Sequence, residues 1–250
     1  MDGSDKAEAK NKAWLLTVYR PVSLFALKTT YATNKGGKTL LVPTPYAIKL
    51  ALVDACFRAY GPEDAEDKAR YVFDQVKDKA IRLLPPEHCV VQNTFVKIKQ
   101  ESREGAKGTF DSTVAYREFC FFGGELVIAL NIEGLEDKSI DLIENSLKHI
   151  NHFGKRGSYF QFIECKRVTE LPSGFSLPED ATDFKLGAYG VMQPLDDIGE
   201  TDESDFFDRI NSYSNKSLTL GKHRILKNTF LSYRMIRSSR DYTYYSRVSV

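Results

Sequence analysis

The segment Thr44-Pro-Tyr-Ala-Ile-Lys-Leu-Ala-Leu-Val-Asp-Ala-Cys-Phe57 constrains the fold of this chain more than any other. Thr44 can accept a hydrogen bond from a free amide of the first helical turn, and Pro45 suits the first helical position because the amide hydrogen it lacks has no partner there. The helix this predicts, Pro45 to about Tyr60, carries Ala47, Ile48, Leu50, Leu52, Val53, Ala55 and Phe57 on most of its sides. A helix of that kind lies deep in a fold. Gly61-Pro62 ends it. A second helix is predicted from Glu63 to Leu84. Its early acids (Glu63, Asp64, Glu66, Asp67) and late bases (Lys77, Lys79, Arg82) complement a helix dipole, and Ala65, Ala69, Val72, Val76, Ala80 and Leu83 form one apolar stripe.

Strand patterns surround these helices. Ala13 to Tyr19 is short, apolar and rich in β-formers, and Arg20 to Val42 reads as a long basic loop or hairpin. Pro85-Pro86 precedes a loose alternation from His88 to Lys99, and the polar, glycine-containing run Gln100 to Thr113 reads as a projecting loop. Val114 to Phe122 and Glu125 to Ile132 read as strands, and Gly123-Gly124 between them suits a tight hairpin turn or a bulge. Ile140, Ile143, Leu147 and Ile150 fall at helical spacing, with Gly154 placed as a left-handed C-cap, and strand resumes from Tyr159 to Val168. Strand, helix, added helix, strand, projection, strand, helix, strand is the split βαβ plan. The fold class expected is α+β, a ferredoxin-like (RRM-like) unit with insertions and a smaller C-terminal region.

Composition bounds the rest. With 250 residues, 42% of them hydrophobic, the chain can bury a sizeable core as one large domain or two small ones. The division expected is a loose start over 1–12, the ferredoxin-like unit over 13–170, and a C-terminal region over 171–250. The 35 basic and 34 acidic residues almost cancel, so only local clusters can point to a nucleic acid. Such clusters exist past Pro172: ten acids and a single base between Ser176 and Asp208, then eight bases and a single acid between Lys216 and Val250. Tyr233, Tyr242, Tyr244 and Tyr245 interleave with the second block, which can hold phosphates and stack bases or form an ordinary strand pair. The four cysteines lie far apart in apolar or strand-like runs and are expected as buried thiols in a reducing cytoplasm. From the polar start and the lack of an apolar span, the expectation is a cytoplasmic protein with no membrane partner.

The chemistry-bearing candidates are few. His152-Phe-Gly-Lys-Arg-Gly-Ser-Tyr159 joins the last helix of the unit to its last strand. Glycines there let the backbone approach a ligand and turn amides outward as an anion nest, and Lys155 and Arg156 add charge; the same residues also make an ordinary helix terminus. In Tyr116-Arg-Glu-Phe119, Arg117 and Glu118 point to opposite faces of a strand, so one meets solvent or RNA, or the two mark a solvated edge or an ion pair. The four histidines show no metal-ligand spacing, and Ser158 stands outside a nucleophile elbow. No cofactor is implied. A metal-independent ribonuclease built from scattered Tyr, Lys and His remains open.

Taken together, the proline-bounded apolar helix (VPTPYAIKLALVDACF), the return strand YREFCFF after a polar projection, and the glycine-rich turn FGKRGSYFQF resemble the CRISPR-associated RAMP superfamily, and within it the Cas-five branch. The resemblance spans roughly residues 13 to 170. It implies an RRM-like palm with a β-hairpin thumb between the second and third strands, here at about Gln100 to Thr113. It further implies a non-catalytic subunit of a type I Cascade complex. Such a subunit caps the crRNA 5′ handle, touches the backbone and large subunits, and meets target DNA through the assembled complex. Carried onto this sequence, Gly154, Lys155, Arg156, Gly157 and Ser158 form the handle-side loop, Arg117 a palm contact, and Arg103 and Lys107 thumb contacts. Lys49, Lys35 and Lys38 are further basic candidates. Two other readings stay beside it: an endoribonuclease that processes repeat RNA, and a scaffold whose acidic and basic blocks pair with partners.

Overall fold

The computed structural model describes residues 13–30, 32, 36–102, 108, 110–181, 190–200, 203–211 and 214–248. The expectations for residues 1–12, Lys35, Arg103 and Lys107 lie outside them.

Strand β1 (Trp14–Pro21) sits at the centre of a four-stranded sheet, antiparallel both to β6 (Leu126–Asn131) and to β7 (Phe160–Val168). β3 (Ile81–Leu84) pairs outside β6, giving the order β3-β6-β1-β7. In chain order these are the first, second, third and fourth strands of a ferredoxin-like unit, and the spatial order is that of the split βαβ plan. Helix α1 (Pro45–Ala59) connects β1 to β3, and α3 (Asp137–Lys148) connects β6 to β7.

The start of α1 is as the sequence predicts: Pro45 opens it, and the Thr44 hydroxyl accepts from the Ala47 amide at 3.1 Å. The helix is buried nearly all round because α2 (Ala65–Val76), α3 and the later strand β9 (Val191–Ile198) each pack on it. Lys49 belongs to that buried surface. Its side chain is 1% exposed, and its ammonium donates to Asp197 Oδ1 and to the Lys77 carbonyl, both at 2.7 Å. It is therefore a buried structural cation and cannot contact RNA at the surface. Asp197, which holds it, comes from β9.

Four local expectations are corrected. The second helix stops at Val76, and Ile81–Leu84, read as its last turn, is instead the second palm strand. Gly123-Gly124 does not close a hairpin: β5 (Phe110–Gly123) and β6 belong to different sheets, and Gly124, with φ +130°, is where the chain crosses between them. Gly154 is not the helix cap, since α3 ends at His149, five residues earlier. Lastly, the hairpin insertion is longer than the projection read from the sequence. β4 (His88–Glu101) pairs with β5 along its whole length, from His88 opposite Gly123 to Glu101 opposite Phe110.

The hairpin is widened on both sides. β2 (Gly36–Gly37) runs parallel to β5, and β12 (Tyr242–Arg247), with β11 (Tyr233–Ser238) outside it, pairs with β4, giving the order β11-β12-β4-β5-β2. A small sheet of β8 (Leu177–Pro178), β10 (Arg224–Leu231) and β9 completes the fold. Here the acidic and basic blocks meet each other. Asp196 pairs with Arg224, Asp205 with Lys216 and Glu203 with Lys222, so the charge separation seen along the sequence is partly neutralised in space. Cys56, Cys89 and Cys120 are buried free thiols, and Cys165 is half-buried. Among the described residues no helix is long and apolar enough to cross a membrane.

Candidate nucleic-acid interface

The turn Gly154–Gly157 stands out from the body between two buried anchors, Phe153 and Ser158. Phe153 packs edge-on against Tyr19 and Phe160, with ring centroids 5.0 and 5.1 Å away. The Ser158 hydroxyl accepts from the Ala26 amide at 3.1 Å, and the side chain is nearly inaccessible. Ser158 therefore fixes the turn and is not a ligand contact, contrary to its place in the expected loop. Ser23 strengthens the same seam: its hydroxyl donates to the Gly157 carbonyl and accepts from the Tyr159 amide, each at 2.6 Å. Gly154 takes φ +69°, and a Cβ there would lie 2.6 Å from Leu27 Cδ1; Gly157 takes φ +105° facing open space. Both conformations favour glycine, and the result is an exposed loop presenting Lys155 and Arg156 on a rigid base.

The segment carrying Ser23 and Ala26 continues this surface. Phe25 exchanges backbone hydrogen bonds with Cys120 of β5 at 2.7 and 2.9 Å, which brings the turn beside the strand that carries Arg117. Arg117 donates to the Tyr116 carbonyl at 2.8 Å, and its side chain passes over Gly37. A Cβ on Gly37 would lie 2.9 Å from Arg117 Cδ and 3.3 Å from Lys28 Cε, so a glycine in β2 is what makes room for both side chains. The Lys28 ammonium is held below the usual lysine range, first by burial, then by the positive fields of Arg117 and Lys155. Lys28, Arg117 and Lys155 thus form one cationic cluster from three separate stretches of sequence. Lys38 lies exposed at its margin. Glu118, which points the other way from Arg117, accepts from the Thr39 amide at 2.9 Å and from the Tyr116 hydroxyl at 3.0 Å.

Sequence reasoning missed Lys28. Its signal was the basic run before Gly36-Gly37, but nothing local placed it across from Arg117. On the other flank of the turn, Arg156 lines an open cleft of about 850 Å³ with His152, Tyr46, Phe57 and Tyr60. Arg224 lies over the Tyr46 ring at 4.5 Å there. The turn therefore stands between the cationic cluster and a partly aromatic cleft. Among the described residues no group of three or more His, Cys, Asp or Glu is placed to hold a metal ion. Cations, backbone amides and rings of this kind bind phosphates and unpaired bases without a catalytic group.

No family model matches the sequence. A CRISPR-associated protein Cas5 from Archaeoglobus fulgidus is 27% identical over 208 residues, which cover 81% of this chain and 85% of that protein. Among solved structures, a CRISPR protein from Archaeoglobus fulgidus aligns over 94% of this chain and 92% of its own, at 12% identity and a TM-score of 0.49. A chain of the type III-B Cmr-beta complex bound to cognate target RNA aligns over 67% and 68%, at 10% identity and a TM-score of 0.41. Both superpositions are too loose to add to the sequence relationship. The similarity to the Cas5 protein extends over four fifths of this chain and over most of that protein's length, in agreement with the resemblance to the CRISPR-associated RAMP proteins read from the sequence.

Proposed function

We propose that the protein is a non-catalytic crRNA-binding subunit of a type I Cascade interference complex. In this reading it caps the 5′ handle of the guide, contacts the backbone and large subunits, and meets target DNA only through the assembled complex. The observation that carries it is the convergence of Lys155 of the glycine turn with Arg117 and Lys28 in a chain similar to a Cas5 protein. Lys155 and Arg156 would neutralise handle phosphates, the Gly154–Gly157 backbone would approach them closely, and Arg117 would hold the strand against the sheet.

Changing Lys155 and Arg156 together to Ala is expected to weaken binding of a handle RNA by about 1 to 3 kcal/mol. It should also flatten the dependence of log K on log salt by about 1.4, two phosphates at ~0.7 each. Fluorescence anisotropy across a salt series measures both, and an unchanged slope removes the turn from the site.

One observation favours a second reading, cleavage of repeat RNA. The Tyr244 hydroxyl lies 3.0 Å from His88 Nδ1 on an exposed face, a pair able to exchange a proton with a ribose hydroxyl. Incubation of the purified chain with labelled repeat RNA in EDTA separates the two readings. Site-specific cleavage that His88→Ala abolishes would replace capping by processing as the protein's own chemistry.

A further inference from the structure

The five-stranded sheet has one face in the core and one in solvent. Cys89, Val91, Cys120, Phe122 and Tyr233 fill the inner face and are almost wholly buried. The solvent face of an antiparallel sheet is ordinarily polar. Here it is not. Val90 lies opposite Phe121 of β5 and Tyr244 of β12; Gln92 lies opposite Phe119 and Tyr242. Residues directly opposite in a ladder share a face, so these four rings stand in two adjacent rows about 7 Å apart, two residues of strand rise. Phe121 is 58% exposed, and the other three are half-buried.

Charge runs along the far side of the same rows. Arg237 lies opposite Tyr244 and Arg234 opposite Ser246, both exposed, and Arg237 reaches over the Tyr242 ring at 5.9 Å. Neither arginine forms an ion pair among the described residues. On the near side the face continues to Arg117, two residues from Phe119 on β5, and so to the cationic cluster. Two acids flank these rows: Asp241 beside Tyr242, and Glu87 at the rim, 3.7 Å from His88.

Aromatic rings in rows, bounded on both sides by arginine, suit unpaired nucleotides, since every base offers a π-face and guanidinium matches phosphate. A protein partner would be expected to bring carboxylates for the arginines, whereas an RNA strand brings phosphates for the arginines and bases for the rings together. We propose that the outer face of the five-stranded sheet is a stacking platform for single-stranded RNA. It would continue the path from the Lys28–Arg117–Lys155 cluster across Phe119 and Phe121 to Tyr242 and Tyr244, with Arg234 and Arg237 on the phosphates. The proposal rests on the RNA-binding reading above and adds to it a second surface, built jointly by the hairpin insertion and the C-terminal strands.

The test uses the full chain and a fluorescein-labelled oligouridine long enough to span both surfaces. Phe121→Ala with Tyr244→Ala should weaken binding about tenfold or more with the salt slope unchanged, whereas Tyr244→Phe, which keeps the ring, should bind as wild type. Arg234→Ala with Arg237→Ala, both surface changes, should flatten the slope by about 1.4. Wild-type affinity and slope in both double variants, while Lys155→Ala with Arg156→Ala still weakens binding, would overturn the platform and leave the turn standing. A wild-type chain that binds no oligouridine would overturn both. Unchanged RNA affinity in the double variants, with loss of a co-purifying complex subunit, would reassign the face to protein docking and overturn the platform.

Discussion

Lys49 shows how a single residue can carry the sign of a site and belong to the core. It sits on a helix whose neighbouring positions are nearly all apolar, and burial pushes its ammonium below the usual lysine range while Asp197 partly restores it. Removing one member of a buried pair leaves the other charged and unpaired, which costs far more than the pair itself contributes. Lys49→Ala is therefore expected to lower stability to urea by about 3 to 5 kcal/mol. Lys49→Met with Asp197→Leu should lose less than Lys49→Ala. RNA affinity measured on the folded fraction should not change its salt slope; a flatter slope would return Lys49 to the interface. The helix was readable in the sequence, and its apolar surround was already a reason to expect a buried lysine. The partner was not readable, because Asp197 is 148 positions away and only the folded β9 brings it near. The glycine turn had the opposite history: Lys155 and Arg156 were evident from local sequence, whereas Ser158 became structural only through its bond to Ala26.

At the scale of elements, periodicity gave α1, β1 and the two strands of the hairpin, and failed where a short apolar run fits two patterns. Ile81-Arg-Leu-Leu84 satisfies a helical stripe and a strand equally, and length settles such cases only for longer runs. Gly123-Gly124 carried a similar ambiguity, since glycines mark both hairpin turns and the points where a chain leaves one sheet for another. The packing of α3 against β7 was hidden for another reason: it is set by a charge network between distant stretches. Arg167 of β7 reaches Asp141 at 2.5 Å, Glu144 at 2.6 Å and Asp137 at 3.4 Å, three acids along one face of the helix. These carboxylates, Glu144 first, hold the guanidinium well above its ordinary pKa. Because Arg167 and Glu144 are both about three-quarters buried, the network is worth more than a surface pair. Arg167→Met should cost about 1 to 2 kcal/mol, read by thermal denaturation, and molar salt should reduce the difference between wild type and variant. A difference insensitive to salt would mean that packing of the arginine stem, not charge, holds α3 to the sheet.

Across the whole molecule, the near-zero net charge conceals two opposed blocks that meet between β9, β10 and the loop carrying Glu203. Their meeting is why the ferredoxin-like plan could be read from pattern while the C-terminal arrangement could not: ion pairs between segments leave no periodicity. Glu203 is the centre of this contact. Lys222 and Arg209 each donate to it at 2.7 Å and His223 at 3.3 Å, and these hydrogen bonds, Lys222 first, pull its carboxyl down to about 2 from an ordinary 4.5. Asp205 is lowered in the same way by its hydrogen bond from Lys216. A carboxyl whose folded pKa lies below its unfolded one adds stability that is fully present above about pH 4.5 and is lost as the pH falls through about 2. Urea midpoints measured from pH 5 down to pH 2 should therefore fall for the wild type, and Glu203→Gln should begin less stable at pH 5 and fall less steeply. Parallel acid limbs in the two proteins would show that the blocks do not meet in solution. In that case the bases of β10 would be left free to bind anions, and the Glu203→Gln change should leave the salt slope of RNA binding as it was.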